Sequence, residues 1–183
     1  MKIKKIFFVL VLLFSCKKPE VEILISNEDN IQLEKRIDMS LINNSINDYT
    51  LLLNNSDTLT VSEDYSIYYK IFDEDFKEIK KVDISILDGV YLISDNFQFL
   101  YQKKQDSIKY YKEFAIGRKD TITYSFYLKK RFYDTPLSYQ YYEIDSDKIY
   151  YIRFFVQNLR KSTGQKNENQ PTKILQSRYY QLK

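Results

Sequence analysis

Ile31-Gln32-Leu33-Glu34-Lys35-Arg36-Ile37-Asp38-Met39-Ser40-Leu41 sets the reading of this chain. Ile31, Leu33, Ile37, Met39 and Leu41 fall on one parity; Gln32, Glu34, Arg36, Asp38 and Ser40 fall on the other. Side chains of an extended chain point alternately to opposite faces, so this pattern predicts one strand with a buried face. Asn43-Asn44-Ser45 closes it as a turn.

The same signal repeats in both directions. Residues 49–53 predict a second strand, and Tyr65, Ile67, Tyr69 and Ile71 a third. Asp73-Glu74-Asp75 turns the chain into a strand over 76–86, where Val82, Ile84 and Ile86 share a face. Weaker strands are expected over 90–93, 97–101 and 108–114. Ile122, Tyr124, Phe126 and Leu128 alternate cleanly after the turn at Gly117-Arg118-Lys119-Asp120. Residues 139–144 and 149–156 read as a hairpin joined by Asp145-Ser146-Asp147-Lys148. A long polar connection over 157–172 leads to a last strand over 173–182. No segment carries a helical period, a tandem repeat or an interdomain linker.

Many short strands at close spacing predict an all-β sandwich or barrel. In general architecture the chain resembles an antiparallel immunoglobulin-like or fibronectin-like β-sandwich with extra strands or long loops. The alternative is a lipocalin-like β-barrel, which would carry an apolar ligand. The Cys–Trp–Cys signature of true immunoglobulins and the Gly-x-Trp opening of lipocalins are both missing: the chain has no Trp and one Cys.

Composition narrows the chemistry. The chain has 18 Tyr and 12 Phe but only 3 Gly and 3 Pro, which favours strands. It has no His, and this excludes Ser-His-Asp and Cys-His catalysis and His-ligated metal sites. The net charge is only +3 with both signs interspersed, so no basic stripe for nucleic acid is expected. No cofactor is expected. An enzyme working with carboxylates alone needs two of them close together in a cleft, a proximity that sequence does not establish.

The amino terminus carries a separate message. Lys2, Lys4 and Lys5 precede an unbroken apolar run over 6–14, too short to span a bilayer and shaped as a secretory signal. The run ends in Leu13-Phe14-Ser15-Cys16, and Cys16 is the only cysteine. This end resembles a bacterial lipobox, with Phe14 where a smaller residue is usual. The resemblance implies cleavage before Cys16, lipidation of its thiol and acylation of the new amino terminus. It divides the chain into a signal peptide over 1–15, a lipidated cysteine and tether over 16–20, and one β-sandwich domain over 21–183. The expected place is the bacterial cell envelope, on the outer membrane, held there through the lipid anchor, since stable attachment takes more than one acyl chain. An envelope protein or a surface glycan is the expected partner.

Candidate sites follow from local pattern. Asp57-Thr58-Leu59, Asp106-Ser107-Ile108 and Asp120-Thr121-Ile122 resemble a bacterial O-glycosylation sequon, which would place glycan on Thr58, Ser107 or Thr121. Each triplet also sits where a turn becomes a strand, which suits its residue types without any glycan. The 157–172 connection offers Arg160, Lys161 and Lys166 as a binding loop. Aromatic residues crowd at Tyr139, Tyr141, Tyr142, Tyr150, Tyr151, Phe154 and Phe155. Adjacent pairs must point to opposite faces, leaving one set in the core and one free to stack on sugar or peptide. Asp73-Glu74-Asp75 and Asp145-Ser146-Asp147 read as turns, not metal or nucleotide-sugar sites.

Overall fold

A computed structural model describes residues 18–54, 57–85, 111–135, 138–162 and 174–183. In chain order the strands are β1 (Val21–Ile25), β2 (Arg36–Asn43), β3 (Tyr49–Asn54), β4 (Thr58–Leu59), β5 (Ile67–Phe72), β6 (Lys81–Ser85) and β7 (Tyr111–Ile116). They continue with β8 (Thr121–Leu128), β9 (Arg131–Thr135), β10 (Ser138–Tyr142), β11 (Tyr150–Val156), β12 (Leu159–Lys161), β13 (Leu175–Gln176) and β14 (Tyr180–Leu182). One 3-10 turn, Glu28–Asn30, is the only helical element among the described residues.

The protein is all-β, built of several antiparallel sheets as in a β-sandwich. One sheet runs β1-β2-β8-β4, a second β12-β3-β7, and a third β6-β10-β9. In the fourth, β11 lies between β5 on one edge and β13 with β14 on the other. Among the described strand pairs only the short β4–β8 pair is parallel. All four sheets turn a face to one core: Ile23 and Leu41 from the first, Leu51 from the second, Phe132 and Tyr142 from the third, Ile71 and Phe154 from the fourth.

Alternation carries the burial as expected. Ile37, Met39 and Leu41 are at most 1% exposed while Asp38 and Ser40 are half-buried. Phe126 and Leu128 are inside, and Thr123 and Ser125 outside. Where both faces of β5 are apolar, both are used. Ile67, Tyr69 and Ile71 enter the main core, while Tyr68 and Phe72 form a smaller cluster with Phe155 on the other side.

Several boundaries differ from the pattern. The predicted 31–41 strand begins only at Arg36, because Glu34 takes a left-handed backbone (φ 62) and turns the chain. Ile31 instead makes a lone parallel bridge to Leu182 and is fully buried. The turn extends over residues 73–77, with Phe76 at φ 58, and Glu78 then bridges back to Phe72 of β5, so the 76–86 strand shortens to β6. The 139–144 and 149–156 segments do not form a hairpin with each other. Their turn exists, closed by Asp145 (Asp147 N–H to Oδ1, 3.1 Å), but β10 pairs with β6 and β9 while β11 pairs with β5. Apolar alternation fixes which face is buried, not which neighbour is chosen. The 157–172 connection is not all loop, since its first part is β12, paired with β3. The final strand carries a bulge: between its two pairings with β11 it holds one more residue than β11 does. Ser177 fills the gap, its N–H donating to Phe154 O at 2.9 Å and its Oγ accepting from Phe154 N–H at 3.0 Å. β1, with Val21, Ile23 and Ile25 buried in alternation, is an addition to the expected strands. Expected strands over 90–93 and 97–101 lie outside the described residues.

Candidate functional site: a tyrosine platform with a basic rim

The β6-β10-β9 sheet sorts its aromatic residues by parity. Tyr142 and Phe132 point into the core, at 1% and 6% exposure. The Tyr142 hydroxyl donates to Glu78 Oε1 at 3.1 Å; burial, with the Glu78 carboxylate added, raises its pKa well above the ordinary tyrosine value. Phe132 meets Tyr65 edge-on at 5.4 Å.

The opposite face carries Tyr133, Tyr139, Tyr141 and Arg131. Cross-strand register places Tyr139 beside Tyr133 and Tyr141 beside Arg131, and directly paired residues share a face. Tyr133 and Tyr139 lie 5.4 Å apart between centroids, Tyr139 and Tyr141 5.8 Å at 30°, forming a short row of rings. The Arg131 guanidinium sits 5.5 Å from the Tyr139 ring centre and 5.8 Å from that of Tyr141. A side-chain hydrogen bond with Tyr133 is the main influence raising its pKa, so the charge is fixed. Tyr133 is 45% exposed.

Beside the platform lies a cleft of about 530 Å³ whose walls include Arg131, Tyr133, Lys129, Lys130, Thr58 and Glu34. Its single carboxylate is already engaged: Glu34 accepts from the Lys130 N–H at 2.6 Å and from the Tyr127 hydroxyl at 3.1 Å. Lys129, Lys130 and Arg131 thus outnumber Glu34 along its walls, and the carboxylate keeps its charge through both bonds. Row and cleft together offer ring faces for stacking and guanidinium and ammonium groups for anions.

The other expected residues are dispersed. Thr58 opens β4 on the cleft wall and is half-buried. Thr121 opens β8, is exposed, and its N–H donates to Asp120 Oδ1 at 2.7 Å. Each is where a turn becomes a strand. Ser107, Lys166 and Cys16 lie outside the described residues. Arg160 and Lys161 do not belong to a loop; they stand on β12, at a second cavity near the tether. Asp73 closes its turn, Oδ1 accepting from Asp75 N–H at 3.0 Å and Lys77 N–H at 2.9 Å, as a structural role demands. Among the described residues no group of three or more acidic, His or Cys side chains could hold a metal.

Parity foresaw that Tyr141 and Tyr142, and likewise Phe154 and Phe155, point to opposite faces, but Phe155 is not left free to stack on a ligand: it is buried at 7% exposure in the smaller cluster with Tyr68 and Phe72. It did not foresee Tyr133 and Arg131, which join the row only through β9–β10 register. Lys129-Lys130-Arg131 is a run of three cations in the sequence, and only the structure sets its last member beside the rings. No protein-family model and no curated protein matches the chain.

Proposed function

We propose that this protein is a lipid-anchored bacterial envelope protein, attached through Cys16, whose sandwich is a non-enzymatic binding module for an acidic surface glycan. The observation that carries the ligand class is the row Tyr133-Tyr139-Tyr141 with Arg131 laid against two of its rings. Stacked aromatic faces take the apolar side of a sugar ring, and cations bound to them select carboxylate or sulfate groups. The lipobox-like Leu13-Phe14-Ser15-Cys16 supports the anchor and the outer-membrane placement. The proposal keeps the immunoglobulin-like assignment of the sandwich, which rests on architecture alone.

The test is equilibrium binding of the purified chain to polysaccharides extracted from the producing cells, with and without acidic sugars. An acidic polysaccharide binds, and Tyr141→Ala weakens it about two- to tenfold, since an aromatic contact contributes about 0.5–1.5 kcal/mol. Arg131→Gln weakens the acidic ligand and leaves its neutral counterpart unchanged. Equal binding by wild type and both variants, or capture of a protein and no glycan, overturns the proposal.

A further inference from the structure

A second cavity, of about 550 Å³, lies where the tether enters the domain. Its walls come from residues 19–24, from Tyr49, from β12 and from the start of the last strand. Val21, Ile23, Leu159 and Leu175 supply apolar surface, and Arg160, Lys161, Arg178, Glu20 and Glu22 the charges. Small-molecule sites typically enclose about 300–1,000 Å³ with mostly apolar walls and a few polar groups.

The tether root is clamped to this cavity. Asn44 N–H donates to Glu20 O at 2.8 Å, and Asn44 Nδ2 to Pro19 O at 3.3 Å. The Tyr49 hydroxyl donates to Glu20 Oε2 at 2.7 Å, and Lys161 Nζ pairs with Glu20 Oε1 at 3.4 Å. Four residues of chain reach at most about 14 Å, so Cys16 cannot be farther than that from Glu20. Wall charges are matched in part: Arg178 pairs with Glu28 and Lys161 with Glu20, which leaves an apolar floor under a largely neutralised rim.

We infer that this cavity is an acyl-chain site, and that its occupant is one acyl chain of the lipid on Cys16. The inference rests on the proposed anchor. A ligand on a short tether has an effective concentration in the millimolar range, so even weak affinity fills the site. Stable attachment takes two lipid signals, and a lipoprotein cysteine carries chains beyond that, so one can leave the bilayer without releasing the protein. Seating a chain here fixes the β1–β12 corner to the lipidated end of the chain.

The chain contains no Trp, so a single indole at the cavity wall reports on it alone. Ile174 lines the cavity and is 46% exposed, which lets Ile174→Trp fold without disturbing the core. The full chain carrying Ile174→Trp is placed in nanodiscs of dioleoyl phosphatidylcholine, with intact mass recorded first. Its emission is compared with that of the same chain carrying Cys16→Ala, mixed with the same nanodiscs. The lipidated chain shows blue-shifted emission and roughly threefold less quenching by iodide, since a filled pocket covers most of its ligand's neighbours. Oleate added to the Cys16→Ala chain restores the shift and leaves the lipidated chain unchanged. Acylated mass with emission equal to the Cys16→Ala chain overturns the acyl site and leaves the anchor standing. A mass without acyl groups overturns the anchor and its occupant together. Strong quenching when the nanodisc phospholipid is replaced by its brominated form assigns the cavity to bilayer lipid and overturns the inference.

Discussion

Asn43→Ala should cost about 2–4 kcal/mol, although the sequence marks Asn43 only as the first residue of the Asn43-Asn44-Ser45 turn. Asn43 is 1% exposed at the end of β2. Its Nδ2 donates to Asn47 O at 2.7 Å and Gly117 O at 2.8 Å. Its Oδ1 accepts from Ser45 N–H at 3.0 Å and Ser45 Oγ at 2.8 Å. One amide thus ties the 45–47 turn to the β7–β8 turn. At about 1 kcal/mol net per hydrogen bond, losing these four sets an upper value near 4 kcal/mol. Relief comes from partners that keep a second contact: Asn47 O retains Ser45 Oγ at 3.2 Å and Gly117 O retains Asp120 N–H at 3.2 Å. Ser45 N–H retains none among the described residues, which holds the loss above about 2 kcal/mol. Of a typical total of about 5–15 kcal/mol this is a large part. Urea unfolding followed by near-ultraviolet circular dichroism of the tyrosines reads it as a lower midpoint at unchanged slope. Ser40→Ala, which removes the exposed Ser40–Thr123 contact of 2.8 Å, is the control and should change stability by no more than about 0.5 kcal/mol. A loss below about 1 kcal/mol for Asn43→Ala, or one equal to the control, would refute the reasoning.

Alkaline pH should unfold the protein in a defined window. Burial first, then the Glu20 carboxylate, pushes the Tyr49 hydroxyl up to about 12 from 10.0, and burial raises Tyr69 and Tyr142 further. A raised tyrosine favours the protonated form in the fold, so this stability is complete below pH 10 and falls as pH rises toward 12. Absorbance at 295 nm and dichroism should then change together above pH 10, and early ionisation of all tyrosines with the fold intact would count against it. Phe154→Ala, at a fully buried position, should cost about 3–5 kcal/mol, and Ile46→Ala, at 77% exposure, less than about 0.5, by the same urea assay. At the acid end, Lys70 holds the Glu63 carboxyl below its ordinary value, with a contact of 2.8 Å. Stability from that pair is present above pH 4.5 and fades as pH falls, so Glu63→Gln should flatten the acid limb of a stability–pH curve. If Thr121 is glycosylated, the exposed hydroxyl at the start of β8 adds a glycan mass to the native chain that Thr121→Ala removes; an unmodified mass in native cells ends that reading.

Much of the architecture was legible because alternation is a local signal. Ile37, Met39 and Leu41, or Phe126 and Leu128, declare their buried face from spacing alone, and the structure keeps every one of them inside. Pairing was not legible. Residues 139–144 and 149–156 look like hairpin partners in sequence, yet each finds its neighbour elsewhere, because backbone hydrogen bonds between strands carry no residue code. Backbone reversals at Glu34 and Phe76 were equally hidden, since neither residue favours a positive φ.

The candidate site divides along the same line. Sequence by itself determined the basic then apolar start that ends in the single Cys16, the lack of His, the strand-rich composition and the two-faced character of Tyr141-Tyr142 and Phe154-Phe155. Those are properties of residues and of their nearest neighbours along the chain. Tertiary structure alone decided that Tyr133 and Arg131 complete the row begun by Tyr139 and Tyr141. It also moved Arg160 and Lys161 from a loop to the wall of a cavity at the tether, and made Asn43 a fastener between two turns. Each of these joins residues distant in sequence, and such contacts exist only after strand register and sheet packing are chosen by the whole core at once.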